Sequence, residues 1–341
     1  MSRDTAGLRG GATARIDDFP VALAFSPDGR TLAVGGGEGR IHRVSADDGA
    51  VQLLDAGSPG VLELAWQPKG MLLAATGQDG ALRLFNMADA SPARVLHRSA
   101  RWPAGVCWRA DGQQLAVASG KDVLVLSAAG ELLRTIAAHP VPLSHLAWRG
   151  RDELVAAGNG ALFVDRVDTG AIEQFVLEGI PQTLSVSADG RIAACGLADG
   201  TINFRYLNNR KRSRMSGYEG KVALTAWSAS SRYLASASTG ASSVVVWDFG
   251  GKGPEGSEPL QLEAHEERVD ALAWQGTGAM LATAGRDWRV VLWRPGPGSR
   301  KPLDIQLLDG PAGTMGWSAD GKRLAVAQTS GTVRFFSLSA A

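Results

Sequence analysis

Eight times along the chain, a short apolar run closes on an anchor residue and passes into a turn: VALAFSPDG, VLELAWQPKG, AGVCWRADG, LSHLAWRGRD, QTLSVSADG, VALTAWSAS, VDALAWQGTG and AGTMGWSADG. The anchors are Phe25, Trp66, Trp108, Trp148, Val186, Trp227, Trp274 and Trp317, spaced by 41, 42, 40, 38, 41, 47 and 43 residues. A repeat constrains the fold more than length does. The 341 residues alone would suggest two or three domains, whereas repeated units bury their faces by stacking on one another. No window sustains apolar residues at i, i+3, i+4 and i+7 behind a cap, so the units are not helical pairs.

Inside each unit, β-branched and small apolar segments are broken by Gly, Asp, Asn and Ser, the signature of short strands joined by tight turns. In the first unit the strands read as a, 21–25; b, 31–35; c, 40–44; and d, 50–54. The last unit supplies a (312–317), b (323–328) and c (332–336), and then the sequence stops. The missing strand d is expected at 12–16, which resembles the other d strands and precedes the first a. The expectation is therefore an all-β chain: one β-propeller of eight four-stranded antiparallel blades, residues 12–341, closed by an N-terminal strand, with residues 1–11 as a flexible lead. Sharing a blade between the two ends satisfies edges that would otherwise invite aggregation.

The seventh unit carries Ala264-His265, Leu281 to Gly285, Asp287 and Val291-Leu292-Trp293, and the sixth ends in Trp247-Asp248. In these residues the chain resembles the WD-repeat family. The resemblance implies a buried structural tetrad of His265, Thr283, Asp287 and Trp293. Other units keep fragments: His139, Thr76 with Asp79, and Asp199. Seven blades are commonest in the family; the eight counted motifs favour eight over that alternative.

With 35 basic and 34 acidic side chains the net charge is +1, so no global field recruits nucleic acid or an anionic membrane. No apolar stretch approaches a membrane span, and the opening residues lack the apolar core of a signal peptide. Cys107 and Cys195 lie in apolar runs and read as reduced small hydrophobes. These features lead us to expect a cytoplasmic protein, monomeric on its own; 28 Arg against 7 Lys in an Ala- and Gly-rich chain suggests a GC-rich bacterial genome.

Chemical motifs are sparse. The five histidines (His42, His97, His139, His145, His265) lack metal-binding spacing, so neither metal nor cofactor is expected. Asp79, Asp199 and Asp287 recur at one turn position, which suits structure rather than acid–base work. Gly316 to Lys322 resembles a phosphate loop but lacks the helix that would aim amides at a phosphate. Arg210, Lys211, Arg212 and Arg214 form the only basic cluster, a possible anion or nucleic-acid patch on the c–d hairpin of the fifth unit, with alternation placing Arg210, Arg212 and Arg214 on one side. A charged outer edge that discourages strand pairing is the plainer reading.

The resemblance implies binding of a protein or peptide on the face made by the d–a loops and b–c turns. Mapping the units places Phe19, Leu62, Trp102, Pro142, Ile180, Lys221, Arg268 and Asp270 there, with Gln78 and Arg286 from the turns and Trp288 as a further candidate. Exposed Phe, Trp and Arg are common hot-spot types. The glycine- and proline-rich connections 249–259 and 294–302 belong on the opposite face. The expected function is a non-catalytic scaffold; a ligand- or metal-binding enzyme, or a nucleic-acid-associated protein using the basic hairpin, are the alternatives.

Overall fold

The computed structural model describes residues 6–55, 57, 59–89, 91–101, 103–251 and 253–339. The described residues form eight four-stranded antiparallel sheets, each ordered a to d outward. Blade 1 is Pro20–Phe25, Thr31–Gly36, Ile41–Ser45 and Val51–Asp55; blade 7 is Val269–Trp274, Leu281–Gly285, Arg289–Trp293 and Asp304–Leu307. Strand a of every blade packs on strand a of the next, and that of blade 8 packs on that of blade 1. The ring is complete at eight blades, as the motif count predicts.

The taper of the blades explains the choice of residues along each sheet. Strand b is buried on both faces and therefore reads as a continuous small-residue run rather than an alternating one. Ala33, Ala74, Ala116, Ala194, Ala235, Ala282 and Ala325 occupy one matched position on it, all fully buried. Farther out the blades diverge and larger groups fill the gap: Phe163, Phe204, Trp293 and Phe336 on strand c. At the narrow end, a Cβ on Gly35 would stand 2.5 Å from Cγ1 of Val61 in the next blade, so only glycine fits.

The anchors at the ends of strands a tie the blades together. The indole N–H of Trp108 donates to the carbonyl of Ala65 at 3.1 Å, Trp148 to Cys107 at 3.1 Å, Trp227 to Ser185 at 3.3 Å, Trp274 to Ala226 at 3.0 Å and Trp317 to Ala273 at 3.1 Å. Each bond joins a blade to the one before it, at the same rung. One residue on, Gln67 donates to Gly112, Arg149 to Gly190 and Gln275 to Gly321, which fastens the a–b turns of adjacent blades. Those turns are themselves built by side chains: Ser26 with Asp28, Ser187 with Asp189, and Ser318 with Asp320. The last of these lies within the 316–322 segment, which is such a hairpin.

Strand d of blade 8 is the N-terminal strand Gly7–Arg15, antiparallel to Thr332–Ser339. It begins five residues before the expected start at Ala12, so residues 7–11 belong to the sheet rather than to a flexible lead; Met1 to Thr5 lie outside the described residues. A register shift between Gly10 and Thr13 masks the continuity in the sequence. The extra residues are held because Leu8 is buried, its N–H donates to the Asp304 carboxylate at 2.7 Å, and the Gly7 N–H donates to Ser339 at 3.0 Å.

Trp66 is a built-in control for the indole bonds, since it is as buried as Trp108 but its N–H has no partner. Phe25 shows that a phenyl ring fits this position. W108F is expected to lower stability by about 1 kcal/mol more than W66F, the typical net value of one hydrogen bond. Chemical denaturation measures the difference, and equal losses would refute the role given to the indole.

Candidate binding face

One backbone bond repeats around the rim of the ring. The carbonyl of the residue before strand a accepts the N–H that opens the b–c turn: Phe19 from Gly37, Gly60 from Gln78, Ile180 from Ala198, Lys221 from Thr239, Arg268 from Arg286 and Pro311 from Thr329, at 2.8 to 3.0 Å. Phe19, Ile180, Lys221 and Arg268 thus hold equivalent positions, and Gln78 and Arg286 hold the facing one. Pro142, exposed, also precedes its strand a; Trp102 lies outside the described residues. Next comes a buried first residue of strand a, and then a bulge in every blade. The bulge inserts a residue at the channel mouth. Val21, Leu62 and Ser144 are such residues, and they line a cavity of 550 Å³ at the mouth.

On this rim Phe19 is 50% exposed, Ile180 54% and Trp288 50%. Arg268 and Arg286 both bind the Asp270 carboxylate, Arg286 at 2.9 Å. Two guanidiniums share one carboxylate there, and exposed Lys221 extends the basic arc across blades 6 and 7.

Beneath the rim, loops are locked by buried polar chains. In blade 7, Trp293 donates to the Thr283 hydroxyl at 2.9 Å, that hydroxyl meets His265 Nε2 at 2.8 Å, and His265 Nδ1 meets Asp287 at 3.0 Å. With Nδ1–H given to the carboxylate, Nε2 accepts from Thr283 and every donor is used. Burial lowers the His265 pKa against the pull of Asp287, in keeping with that neutral ring. Blade 6 does the same work with Tyr218, whose hydroxyl accepts from Trp247 at 2.8 Å and meets Ser236 at 2.7 Å.

Blade 4 solves the problem with charge. Its Asp165 stands where blade 7 has Trp293, and His139 places Nε2 3.1 Å from that carboxylate and Nδ1 2.9 Å from the carbonyl of Lys121. Burial opposes charging His139, but Asp165 outweighs it and raises the pKa. Both ring nitrogens face acceptors, as an imidazolium requires. In blade 2, Asp79 holds the turn position and is bound by Arg83 at 2.7 Å, which also meets Asp55 at 3.2 Å. Thr76 is not in the place of Thr283: the strand register puts Ala75 there, and Thr76 faces the other side of the sheet, without a hydrogen bond.

The basic hairpin of blade 5 differs from expectation. Strand d is Arg212–Met215, and Arg210 lies in the turn at φ 59°, so alternation covers Arg212 and Arg214 only. Every cation is matched by a carboxylate: Arg210 by Glu173, Lys211 by Glu255 at 3.0 Å, Arg212 by Glu178 at 3.0 Å, and Arg214 by Asp199 at 2.9 Å. The hairpin is an ionic seam along the outer edges of blades 4, 5 and 6. Glu255 belongs to the 249–259 connection, whose Phe249 packs on Trp227 and Phe204.

Two residues of interest escaped the sequence reading of the channel. Glu63 and His145 line the cavity; both sit on the third position of strand a, where a polar residue amid apolar neighbours was the available signal. His145 donates from Nε2 to the Gln182 carbonyl at 3.2 Å, which leaves Nδ1 to Ser144 at 2.9 Å. Glu63 accepts the Val106 N–H at 2.7 Å, linking blade 2 to blade 3. Burial pushes the Glu63 carboxyl up to about 7, against that hydrogen bond.

The folded chain thus holds the Glu63 proton to a higher pH than the unfolded chain, where it is lost near 4.5. By linkage, the stability this group contributes is full below about 4.5 and is lost as the pH rises through about 7. E63Q keeps the acceptor and removes the titration. Its melting temperature is expected to gain on the native protein across that window, and parallel pH profiles would contradict the assignment.

The model of the WD domain, G-beta repeat, matches residues 44–86 and 256–294, which end on strand c of blades 2 and 7. Coronin-7 of Homo sapiens is 36% identical over 87 residues, 24% of this chain and 9% of that protein. Telomerase protein component 1 of Rattus norvegicus is 23% identical over 330 residues, 95% of this chain and 11% of that protein. The chain therefore spans a small part of the length of these relatives. In fold, it is similar to the crystal structure of the computationally designed Ika8 protein, with a TM-score of 0.75 and 18% identity over 96% of this chain and 99% of that one. Two matched WD repeats are thus set in a closed ring of eight four-stranded blades, an eight-bladed β-propeller.

Proposed function

We propose that the chain is a non-catalytic scaffold that binds a protein or peptide segment across the rim of d–a loops and b–c turns. WD-repeat propellers are typically protein-interaction scaffolds and in general are not enzymes. The observation that carries the choice of face is Trp288. In blades 1, 2, 5 and 8 the residue at its position is Gly39, Gly80, Gly200 or Gly331, with φ of 97°, 78°, 79° and 92°. Trp288 adopts the same left-handed backbone at φ 65°, a conformation that costs an L-residue about 1–2 kcal/mol.

The indole nevertheless stands half exposed. Strain kept at an exposed aromatic points to a use outside the fold. The DW pair among DG, EG and SG turns was the sequence signal for it. Phe19 is presented in a related way: its ring lies over Gly37, where a Cβ would stand 1.9 Å from the ring. Together with Ile180 these give apolar anchors around the mouth, and the Arg268, Arg286 and Lys221 arc gives a partner with acidic groups a preferred orientation.

The test is affinity capture to identify a partner, followed by binding of that purified partner to W288G, F19A and I180A. W288G installs the residue used by four sister blades, so its melting temperature is expected to match or exceed that of the native chain. Its affinity is expected to fall at least about tenfold, the scale of a hot-spot truncation. Retained affinity in all three variants would remove this face from consideration.

A further inference from the structure

The rim also holds a site of a different character. Between blades 2 and 3, the d–a loop and b–c turn enclose a pocket of 480 Å³ lined by His97, Arg98, Ser99, Arg101, Ser119 and Lys121, with Asp122 as its only carboxylate. Asp122 is already engaged, accepting the Ala138 N–H at 3.1 Å. Arg98 reaches out of the pocket to Asp79 at 3.1 Å. Among the described residues, the Arg101 guanidinium meets no carboxylate, and Lys121 Nζ donates only to the Pro140 carbonyl at 2.8 Å. This contrasts with the blade 5 hairpin, where each cation has its counter-charge.

The pocket is shaped around these groups. Arg101 lies across Gly120, a residue at φ 65°, where a Cβ would stand 2.9 Å from Arg101 Cδ. The Arg101 N–H is held by Ser99 Oγ at 3.0 Å, and His97 Nε2 lies 3.3 Å from Ser119 Oγ. One guanidinium without a carboxylate, an ammonium, an imidazole and two hydroxyls thus line the pocket, where one engaged carboxylate faces them. A carboxylate ligand has two oxygens to offer; a phosphoryl group has three, with about −1.5 to −2 charge near neutral pH.

We propose that this pocket receives the phosphoryl group of a phosphorylated serine or threonine in a partner's peptide. The proposal rests on the reading of the rim as the partner-binding face, and it names the chemistry read at one point of it.

The test is fluorescence anisotropy at low ionic strength with three labelled pentapeptides, Gly-Ala-X-Ala-Gly, where X is serine, glutamate or phosphoserine. The phosphoserine peptide is expected to bind at least about tenfold more tightly than either of the others, as charge-assisted bonds to a third oxygen require. R101E/K121E is expected to lose that advantage, and R212E/R214E to keep it. Equal binding of the three peptides, glutamate matching phosphoserine, undiminished affinity in R101E/K121E, or displacement of the peptide by an equal concentration of a dT oligonucleotide would each overturn the proposal. Failure here with an identified partner still dependent on Phe19 and Trp288 would strike the pocket alone; loss of both would strike the face.

Discussion

Blade-to-blade registration at the inner strands is the constraint on which the rest of the molecule depends. A propeller has no single core: each sheet is covered only by its neighbours, so a slip at one interface would be passed around the ring. Apolar contact is non-directional and cannot fix the height of one blade against the next. The indole bonds of Trp108, Trp148, Trp227, Trp274 and Trp317 do so at five of the eight interfaces, because each joins the same rung of adjacent blades. Closure by Gly7–Arg15 on the last blade then removes the one interface that could open.

Registration at the inner strands sets the rim. The d–a loops and b–c turns meet through one recurrent backbone bond, and the buried groups beneath them vary in chemistry while keeping that meeting point. A neutral chain runs through His265 and Thr283 in blade 7, a tyrosine replaces the histidine in blade 6, and a charged His139–Asp165 pair serves blade 4. The two histidines shift in opposite directions: burial, with Arg289 adding to it, lowers the pKa of His265 against Asp287, whereas at His139 burial is outweighed by Asp165 and the Lys121 carbonyl. The side chains at that meeting point are free to differ, since the recurrent bond is made by the backbone alone.

What the sequence makes legible follows from how local the determining interaction is. Blade count, strand order and the shared closing blade depend on spacing and alternation, and all could be read. The blade 7 tetrad was implied by the resemblance to the WD repeat rather than by spacing, and its members are linked by hydrogen bonds. Thr76 was misplaced because one residue of register turns a side chain to the opposite face, and only strand pairing reveals that Ala75 holds the site. Asp165 was invisible as a partner for His139 because it stands where a tryptophan normally does. The counter-charges of Arg210 to Arg214 come from three blades and two loops, a convergence no linear pattern encodes. The same reason hid the pocket around Arg101, although the run His97-Arg98-Ser99-Ala100-Arg101 carried its charge in plain view.

The central claim is that this ring is a rigid frame whose working surface is the rim of d–a loops and b–c turns. Hydrogen–deuterium exchange of the chain, alone and in complex with a captured partner, tests it most directly. Slowed exchange is predicted on complex formation in the segments around Asp18 to Pro20, Gly179 to Pro181 and Arg286 to Arg289, with the c–d connections around Arg210 and Phe249 unchanged. Protection confined to those c–d connections, with the rim exchanging as in the free chain, would contradict it.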